Sequence, residues 1–307
     1  MHHVINAAQF DRGSLEDLFE RTDFFKEQHA DLAGRREVKA SHLGRQACVL
    51  FSEPSLRTRL SFESAAQRLG MDVFGSENAQ EFSSFAKGES LEHAVQVING
   101  YADVIVMRSP VLGSAAEAAA VSGIPVINGG DGTGEHPTQA LLDLYTIKDL
   151  KGEVDNQRIT MMGDLRNGRT VRSLSIMLTR FNNVTINYVS IPELQIGGDV
   201  LAVLDDHGVE HHQYTDMYEA LASSDIYYCT RLQSERFDDK SDVPPVRFVV
   251  DAAFMDAAPD RLHVMHPMPI NEEIDPRLVD PRLKFIHQAH NGVYVRTGLF
   301  DRVLSSD

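Results

Sequence analysis

The stretch QACVLFSEPSLRTRLSFESAAQRLGMDVFGS, residues 46–76, indicates the fold class. The apolar run at 46–52 predicts a buried strand, residues 55–69 predict a helix, and residues 71–76 predict a second strand. The helix carries a buried face at the i, i+3, i+4, i+7 spacing, formed by Phe62, Ala65, Ala66 and Leu69. A strand, a crossover helix and a second strand form the repeating unit of a parallel sheet.

The same alternation of short apolar strands and helices continues along the chain. Further strands are predicted at 102–108, 124–128, 158–164, 183–190, 209–214, 226–230, 247–252 and 262–266, and helices at 90–100, 112–122 and 137–152. We therefore predict an α/β protein of two domains, each a mostly parallel sheet flanked by helices. The first domain covers residues 1–136 with a returning C-terminal helix at 289–307, and the second covers 137–288, entered through a linking helix at 137–152.

Composition limits the classes of function. The 307 residues carry a formal net charge of −16, which argues against nucleic acid and anionic membranes as partners. No apolar run approaches the roughly 18–20 residues that span a bilayer, and the first residues lack the pattern of a signal peptide. The two cysteines, Cys48 and Cys229, are too few for a disulfide framework, and no cysteine–histidine cluster indicates a metal. A cytoplasmic protein is therefore expected.

Positive charge at the start of the predicted helix indicates an anionic ligand. Ser55 suits the N-cap position, and Arg57 and Arg59 follow in the first turn. Cations are disfavoured at a helix N-terminus, because that end is already electropositive. A phosphate docked there would accept hydrogen bonds from the first backbone N–H groups and from Arg57. From these residues alone, a capped helix with solvated arginines is an equal alternative.

Two stretches in the first half place polar side chains after predicted strands, where ligands of α/β proteins bind. Arg108 ends the strand at 102–108. In GGDGTGEHPTQ (129–139), His136 and Gln139 are three residues apart and share one helical face. The alternatives are a surface arginine and a structural histidine, but together the residues favour a substrate-binding pair at a helix start.

Three stretches in the second half have the same placement. GDLRNGRT (163–170) offers Arg169 at a helix start and lacks the GxGxxG pattern, so it gives little support to a dinucleotide. In TRLQSER (230–236), Arg231 and Gln233 point to the same side if the chain stays extended. The prolines of VMHPMP (264–269) leave backbone carbonyls free to accept hydrogen bonds. Solvated loops and plain turns remain alternative interpretations of each stretch.

Taken together, these stretches resemble the catalytic chains of the aspartate carbamoyltransferase family, over essentially the whole length and in the same order. The resemblance rests on SxRTR (55–59), KGE (87–89), VMRSP (106–110), HPTQ (136–139), GDLxxGRT (163–170), TRxQxER (230–236) and HPMP (266–269). It implies a two-domain α/β enzyme that transfers the carbamoyl group of carbamoyl phosphate to the α-amino group of L-aspartate in de novo pyrimidine biosynthesis. It implies neither a metal nor an organic cofactor.

The resemblance also assigns residues to each part of the two substrates. The phosphate is bound by Ser55, Arg57, Thr58 and the backbone N–H of Leu56. The carbamoyl oxygen is surrounded by Thr58, Arg108 and His136, and the carbamoyl amide donates to Gln139 and to the carbonyl groups of Pro267 and Met268. The aspartate carboxylates are bound by Lys87, Arg169, Arg231 and Gln233. The Met268–Pro269 peptide bond is expected to be cis, as in the family.

Three further residues, together with Lys87, match positions that the family uses between subunits or between domains. Ser83 and Lys87 match loop residues that reach into a neighbouring subunit's site, so the resemblance implies a homotrimer, with or without regulatory chains. Glu53 and Arg236 match residues that bridge the two domains when the site closes.

The chain departs from the family pattern at two positions. Leu56 replaces the usual threonine, which removes a hydroxyl donor to phosphate, and Ile270 replaces the usual arginine after HPMP. An ornithine carbamoyltransferase is the nearest alternative, but it normally has a cysteine at the position of Pro267 and a site for a cationic side chain. A catalytically silent homologue with a structural or regulatory role is the other alternative. Such a homologue would be expected to have lost some of the residues that the resemblance assigns to the substrates. The following eight are all present: Arg57, Thr58, Lys87, Arg108, His136, Gln139, Arg169 and Arg231.

Overall fold

The computed structural model describes residues 2–233 and 248–305, which form two compact units. The first unit runs from the N-terminus to Leu142 and resumes at His290, and the second covers Asp143–Ala289. The division therefore falls within the predicted linking helix rather than at its first residue. A two-domain α/β fold is confirmed, while the assignment of one substrate to each domain stays a prediction.

The first unit is built around a parallel sheet of four strands in the order β2-β1-β3-β4. The strands are β1 (Gln46–Phe51), β2 (Asp72–Ser76), β3 (Val104–Ser109) and β4 (Val126–Asp131). The helices that lie entirely in this unit are α1 (Arg12–Gln28), α2 (Leu32–Ala40), α3 (Leu56–Arg68), α4 (Ala79–Phe82), α5 (Leu91–Ile98) and α6 (Ser114–Val121). The central strands β1 and β3 are apolar and almost wholly buried, as expected when helices cover both faces of a parallel sheet.

The predicted β1–α3–β2 unit is present, with ends shifted by at most one residue. All four residues of the predicted apolar face of α3 are fully buried, namely Phe62, Ala65, Ala66 and Leu69. The edge strand β2 is mostly exposed, because it has a neighbouring strand on one side alone.

The second unit contains a parallel sheet of five strands in the order β7-β6-β5-β8-β9. The strands are β5 (Arg158–Met162), β6 (Thr185–Val189), β7 (Glu210–Tyr214), β8 (Ile226–Cys229) and β9 (His263–Met265). The helices that lie entirely in this unit are α8 (Arg169–Leu178), α9 (Gly198–Asp206) and α10 (Ala252–Ala257). Two longer helices, α7 (Pro137–Lys151) and α11 (Phe285–Leu304), begin in one unit and end in the other.

The strand predicted at 247–252 is wrong for the residues that the structure describes there. Val250 forms a single parallel bridge with Ile274. The next residue, Asp251, accepts a hydrogen bond from the backbone N–H of Phe254 at 2.9 Å and so caps α10. Extended pairing stops because an aspartate at an N-cap starts a helix.

The C-terminal helix is tied to the beginning of the chain through Asp301. Its carboxylate lies 2.9 Å from Nε2 of His42 and accepts a hydrogen bond from Nη1 of Arg21 at 2.5 Å. Burial raises the pKa of Asp301, but hydrogen bonds and charges from these two partners outweigh it and hold the pKa below its ordinary value. Among the described residues, no helix combines the length and the apolar character needed to cross a membrane.

Candidate active site

The predicted phosphate seat lies at the start of α3, directly after β1. Ser55 has an extended backbone and is the N-cap residue, but its hydroxyl makes no capping hydrogen bond to the helix. The side chain of Leu56 is 69% exposed, so the buried face of the helix does not account for this residue. The first turn therefore presents backbone N–H groups, which suit an anion.

The two arginines of this turn have different surroundings. Arg59 donates to Glu63 at 2.7 Å, one helical turn away, and also pairs with Glu77. Two carboxylates thus balance its charge. Arg57 is exposed at the same helix start, and its role in binding an anion stays a prediction.

Thr58 and Arg108 come together at Gly129 in β4. Nη1 of Arg108 donates to the carbonyl of Gly129 at 3.4 Å. A Cβ atom on Gly129 would lie 3.6 Å from Cγ2 of Thr58 and 3.1 Å from the carbonyl of Met107. Thr58 is buried, and Nη2 of Arg108 lies 2.5 Å from Oε1 of Glu53. Arg108, a residue of the same unit, is therefore one partner of Glu53.

His136 and Gln139 lie where α7 begins. Pro137 is the first helical residue, and the carbonyl of His136 accepts the N–H groups of Gln139 at 3.0 Å and Ala140 at 3.2 Å. Both predicted side chains are buried, with 4% of His136 and 9% of Gln139 exposed. Polar side chains in loops and at helix starts are mostly exposed, so the burial of both members of this pair is unusual.

Asp131, at the end of β4, holds the loop before His136. Its carboxylate accepts the N–H groups of Gly113 and Glu135, each at 3.0 Å. It thereby joins the segment that follows Arg108 to the segment that precedes His136. The adjacent Gly132 has a φ of +46°, a conformation that favours glycine.

Ser83 is the N-cap residue of a short 3-10 turn over Ser84–Lys87, and Lys87 is its last residue. The Ser83 hydroxyl accepts from the N–H of Phe85 at 3.2 Å and donates to the carbonyl of Ala79 at 2.5 Å. Lys87 ends this turn and is exposed. These contacts of Ser83 lie within its own loop.

In the second unit, the loops after β5 and β8 carry the predicted aspartate-binding side chains. Arg169 is the first residue of α8, while Arg231 and Gln233 follow β8. All three side chains are partly buried, and Nη1 of Arg231 donates to the carbonyl of Leu232 at 3.1 Å. Arg236 lies outside the described residues.

Asp164 connects these two loops, although the sequence analysis did not single it out. One carboxylate oxygen accepts the N–H of Asn167 at 3.1 Å, and the other accepts the N–H of Gln233 at 3.1 Å. Asp164 is 1% exposed. The loop that leads to Arg169 is therefore held to the backbone of Gln233 by one buried carboxylate.

Pro267 and Met268 lie in a partly buried segment after β9. The Met268–Pro269 bond is cis, as expected, and Met268 has a φ of +58°. Ile270 packs against an apolar core cluster of the second unit that includes Phe254 and Val250. The replacement of the family's usual arginine is thus accommodated as a core contact. In the part of the chain that the structure describes, no three histidine, cysteine or acidic side chains form a metal site.

Comparison with known proteins agrees with the motifs. The family model "Aspartate/ornithine carbamoyltransferase, carbamoyl-P binding domain" matches residues 2–149, and the corresponding "Asp/Orn binding domain" model matches residues 155–303. A chloroplastic aspartate carbamoyltransferase of Oryza sativa subsp. japonica is 42% identical, over 98% of this chain and 84% of the relative. An aspartate carbamoyltransferase catalytic subunit of Vibrio campbellii is 40% identical, over 99% of this chain and 96% of the relative.

Solved structures give the same result. The crystal structure of aspartate transcarbamoylase from Trypanosoma cruzi, in complex with carbamoyl phosphate and aspartate, superposes with a TM-score of 0.91 at 35% identity. The match covers 99% of this chain and 97% of that chain. On the two family models, the identity to full-length relatives and the shared fold, the chain belongs to the aspartate/ornithine carbamoyltransferase family.

Proposed function

We propose that the chain is an aspartate carbamoyltransferase: it transfers the carbamoyl group of carbamoyl phosphate to the α-amino group of L-aspartate. The products are N-carbamoyl-L-aspartate and phosphate, and the reaction belongs to de novo pyrimidine biosynthesis. Relatives with this name match the full chain, and a related structure was solved with both substrates. The observation that carries the proposal is the convergence of Thr58 and Arg108 at Gly129.

The phosphate binds at the start of α3. Ser55, Arg57 and Thr58 supply side-chain donors, and the backbone N–H of Leu56 adds another. A helix N-terminus favours a phosphate because its free N–H groups and its dipole both attract negative charge. Arg59, in the same turn, is paired with Glu63 and Glu77, and Arg57 is exposed.

The carbamoyl group is activated by donors around its oxygen. Thr58, Arg108 and His136 donate to this oxygen, which gains negative charge as the amine attacks. Removing one such donor typically costs about 3–4 kcal/mol of transition-state stabilisation. Gln139 and the carbonyl groups of Pro267 and Met268 accept hydrogen bonds from the carbamoyl amide and fix its orientation.

Arg169, Arg231, Gln233 and Lys87 bind the two carboxylates of aspartate. Planar guanidinium groups suit carboxylates because they can donate two parallel hydrogen bonds. The departing phosphate accepts the proton of the amine, so the reaction needs no dedicated side-chain base.

A colorimetric assay for the carbamoylated product, with aspartate and ornithine offered separately, tests this function. We expect product with aspartate and little with ornithine, because two arginines and an amide suit a second carboxylate better than an amine. Product with ornithine alone would indicate the ornithine reaction. No product with either would indicate a catalytically silent chain.

We also propose a homotrimer in which Ser83 and Lys87 complete a neighbouring subunit's site. The exposed position of Lys87 is compatible with this role. Mixing the inactive Lys87→Ala and Arg57→Ala chains should restore some activity after subunit exchange, because some interfaces then carry both intact halves. Exchange without recovered activity would contradict shared sites. Size measurements of purified complexes would detect regulatory chains.

A cytoplasmic location is proposed on the basis of cysteine chemistry. Both cysteines are buried and unbridged, and burial raises the pKa of Cys48 to about 11. Such thiols behave as small apolar groups and suit a reducing compartment. Fractionation of cells that express the tagged protein tests the location.

A further inference from the structure

A chain of hydrogen bonds between buried side chains in the second unit leads to His266, next to Pro267. The Tyr228 hydroxyl donates to Oδ2 of Asp143 at 2.8 Å, and the amide of Gln288 donates to Oδ1 of Asp143 at 2.6 Å. The carbonyl oxygen of the Gln288 side chain accepts the backbone N–H of His266 at 2.8 Å. These four residues are at most 1% exposed. The backbone of His266 is therefore fixed to side chains of α7 and α11.

The contacts of the His266 ring show which of its two nitrogens carries the proton. The backbone N–H of Met268 donates to Nδ1 at 2.8 Å, so Nδ1 must be an acceptor and carries no hydrogen. Nε2 lies 2.8 Å from Oε1 of Glu273. Burial raises the pKa of Glu273, but hydrogen bonds from His266 and from the backbone outweigh it and hold the pKa below its ordinary value. Glu273 is therefore a carboxylate, and Nε2 carries the proton of a neutral ring.

The bond between Met268 and His266 supports an unfavourable backbone conformation. With a φ of +58°, Met268 lies in the left-handed region, which is disfavoured for residues that have a Cβ atom. Such a conformation persists where surrounding contacts determine it. Here the N–H of Met268 is held by His266, whose own position is fixed through Gln288 on one side and Glu273 on the other.

We propose that His266, in its neutral Nε2–H form, is a positioning residue that aims the Pro267 and Met268 carbonyl groups at the carbamoyl amide. This inference rests on the proposed function, because the amide belongs to carbamoyl phosphate. His266 itself does not touch the substrate. It fixes the segment by accepting a hydrogen bond from the N–H of Met268, and Glu273 fixes the ring by accepting a hydrogen bond from Nε2–H.

Two substitutions of His266 test its hydrogen bonds to Met268 and to Glu273 one at a time. In His266→Asn, the side-chain oxygen lies near the position of Nδ1 and can still accept the N–H of Met268. In His266→Gln, the longer side chain reaches toward Glu273 and leaves that N–H without its acceptor. Tyr227→Phe is the matched control, since it removes a buried hydrogen bond of 2.8 Å to the carbonyl of Met217 in the same unit.

The Michaelis constant for carbamoyl phosphate should separate these variants. A displacement near 1 Å in a positioned group can cost about 100-fold, so we expect His266→Gln to raise this constant by roughly 10- to 100-fold. His266→Asn should raise it less. Inhibition by inorganic phosphate should hardly change in either variant, because phosphate lacks the amide. Tyr227→Phe should lower the melting temperature without raising this constant.

Equal Michaelis constants in the two His266 variants would overturn the positioning role. So would a parallel loss of phosphate affinity, which would indicate general damage to the fold. A parent protein that does not carbamoylate aspartate would overturn the proposed function itself, and is recognised before any variant is made.

Nuclear magnetic resonance of isotope-labelled histidine in the parent protein provides a test that does not depend on the variants folding. The ring nitrogen shifts of His266 should report an unprotonated Nδ1 and a protonated Nε2 at neutral pH. The other tautomer, or a doubly protonated ring, would contradict the inference.

Discussion

Replacing Asp164 with asparagine should weaken aspartate binding while sparing carbamoyl phosphate. The carboxylate accepts one backbone N–H from Asn167 and one from Gln233, both at 3.1 Å. An asparagine side chain has one acceptor oxygen, so one of these N–H groups would face an NH2 group. Because Asp164 is 1% exposed, water is poorly placed to replace the lost bond.

The expected size of the effect follows from the cost of a buried donor without a partner. That cost is about 1–3 kcal/mol. If Gln233 and Arg169 are held less firmly and the free energy of aspartate binding becomes less favourable by about 2 kcal/mol, aspartate affinity falls by up to roughly 30-fold, at about 1.4 kcal/mol per decade. The free energy of unfolding should decrease by an amount in the same range.

Steady-state kinetics with each substrate varied in turn, together with urea unfolding, would measure both effects. Asp225→Asn is the matched control, because Asp225 also accepts a backbone N–H, that of Arg158 at 2.9 Å, but at the amino end of β5. Asp225→Asn should lower the free energy of unfolding without a selective change in the Michaelis constant for aspartate. The reasoning is refuted if both variants change the aspartate Michaelis constant equally, or if Asp164→Asn acts chiefly on carbamoyl phosphate.

Four further outcomes are expected. Leu56→Thr should tighten binding of phosphate and carbamoyl phosphate about tenfold, since a hydrogen bond to a charged group contributes about 1.5–3 kcal/mol; unchanged phosphate titrations with a lower melting temperature would instead show that Leu56 packs against a neighbouring subunit. Arg57→Ala should abolish most phosphate binding, whereas Arg59→Ala should lower the melting temperature and largely spare it; equal titrations would contradict the distinction. Arg231→Ala should raise the aspartate Michaelis constant and leave phosphate-analogue binding nearly intact, and the reverse would exchange the two half-sites. The pKa of Asp301 is lowered on folding. Its contribution to the free energy of unfolding is therefore present above about pH 4, the ordinary aspartate pKa, and is lost as the pH falls through the folded-state pKa. The urea midpoint should accordingly fall more steeply in acid for the parent protein than for Asp301→Asn.

Local patterns predicted the elements of the fold better than their arrangement. The β1–α3–β2 unit and the N-cap at Ser55 depend on neighbouring residues, and both are present. The strand at 247–252 failed because its apolar residues precede an aspartate cap, and Asp251 determines a helix start. The strand orders of the two sheets were not predicted, because pairing joins residues far apart in the sequence.

The candidate site was predictable where a charged side chain follows a strand, and unpredictable where a distant partner decides its role. The sequence placed Arg57 and Arg59 together at one helix start. It could not show that Glu77, eighteen residues beyond Arg59, accepts a hydrogen bond from Arg59. In the same way, Asp164 accepts a bond from Gln233 across 69 residues, and no local pattern reports such a contact.

Buried carboxylates that accept backbone donors hold the loops of both half-sites. Asp131 accepts the N–H groups of Gly113 and Glu135, Asp164 accepts those of Asn167 and Gln233, and Glu273 accepts those of Asn271 and Glu272. A carboxylate has about four acceptor positions, so those used by backbone N–H groups are not available to a nearby arginine. A chain with a net charge of −16 can thus place acidic residues beside anion-binding arginines without pairing the two directly. Glu53, which follows β1 and does pair with Arg108, is more exposed than these three carboxylates. If Arg108 donates to the carbamoyl oxygen, as proposed above, the carboxylate of Glu53 has to leave Arg108 or share it when carbamoyl phosphate binds.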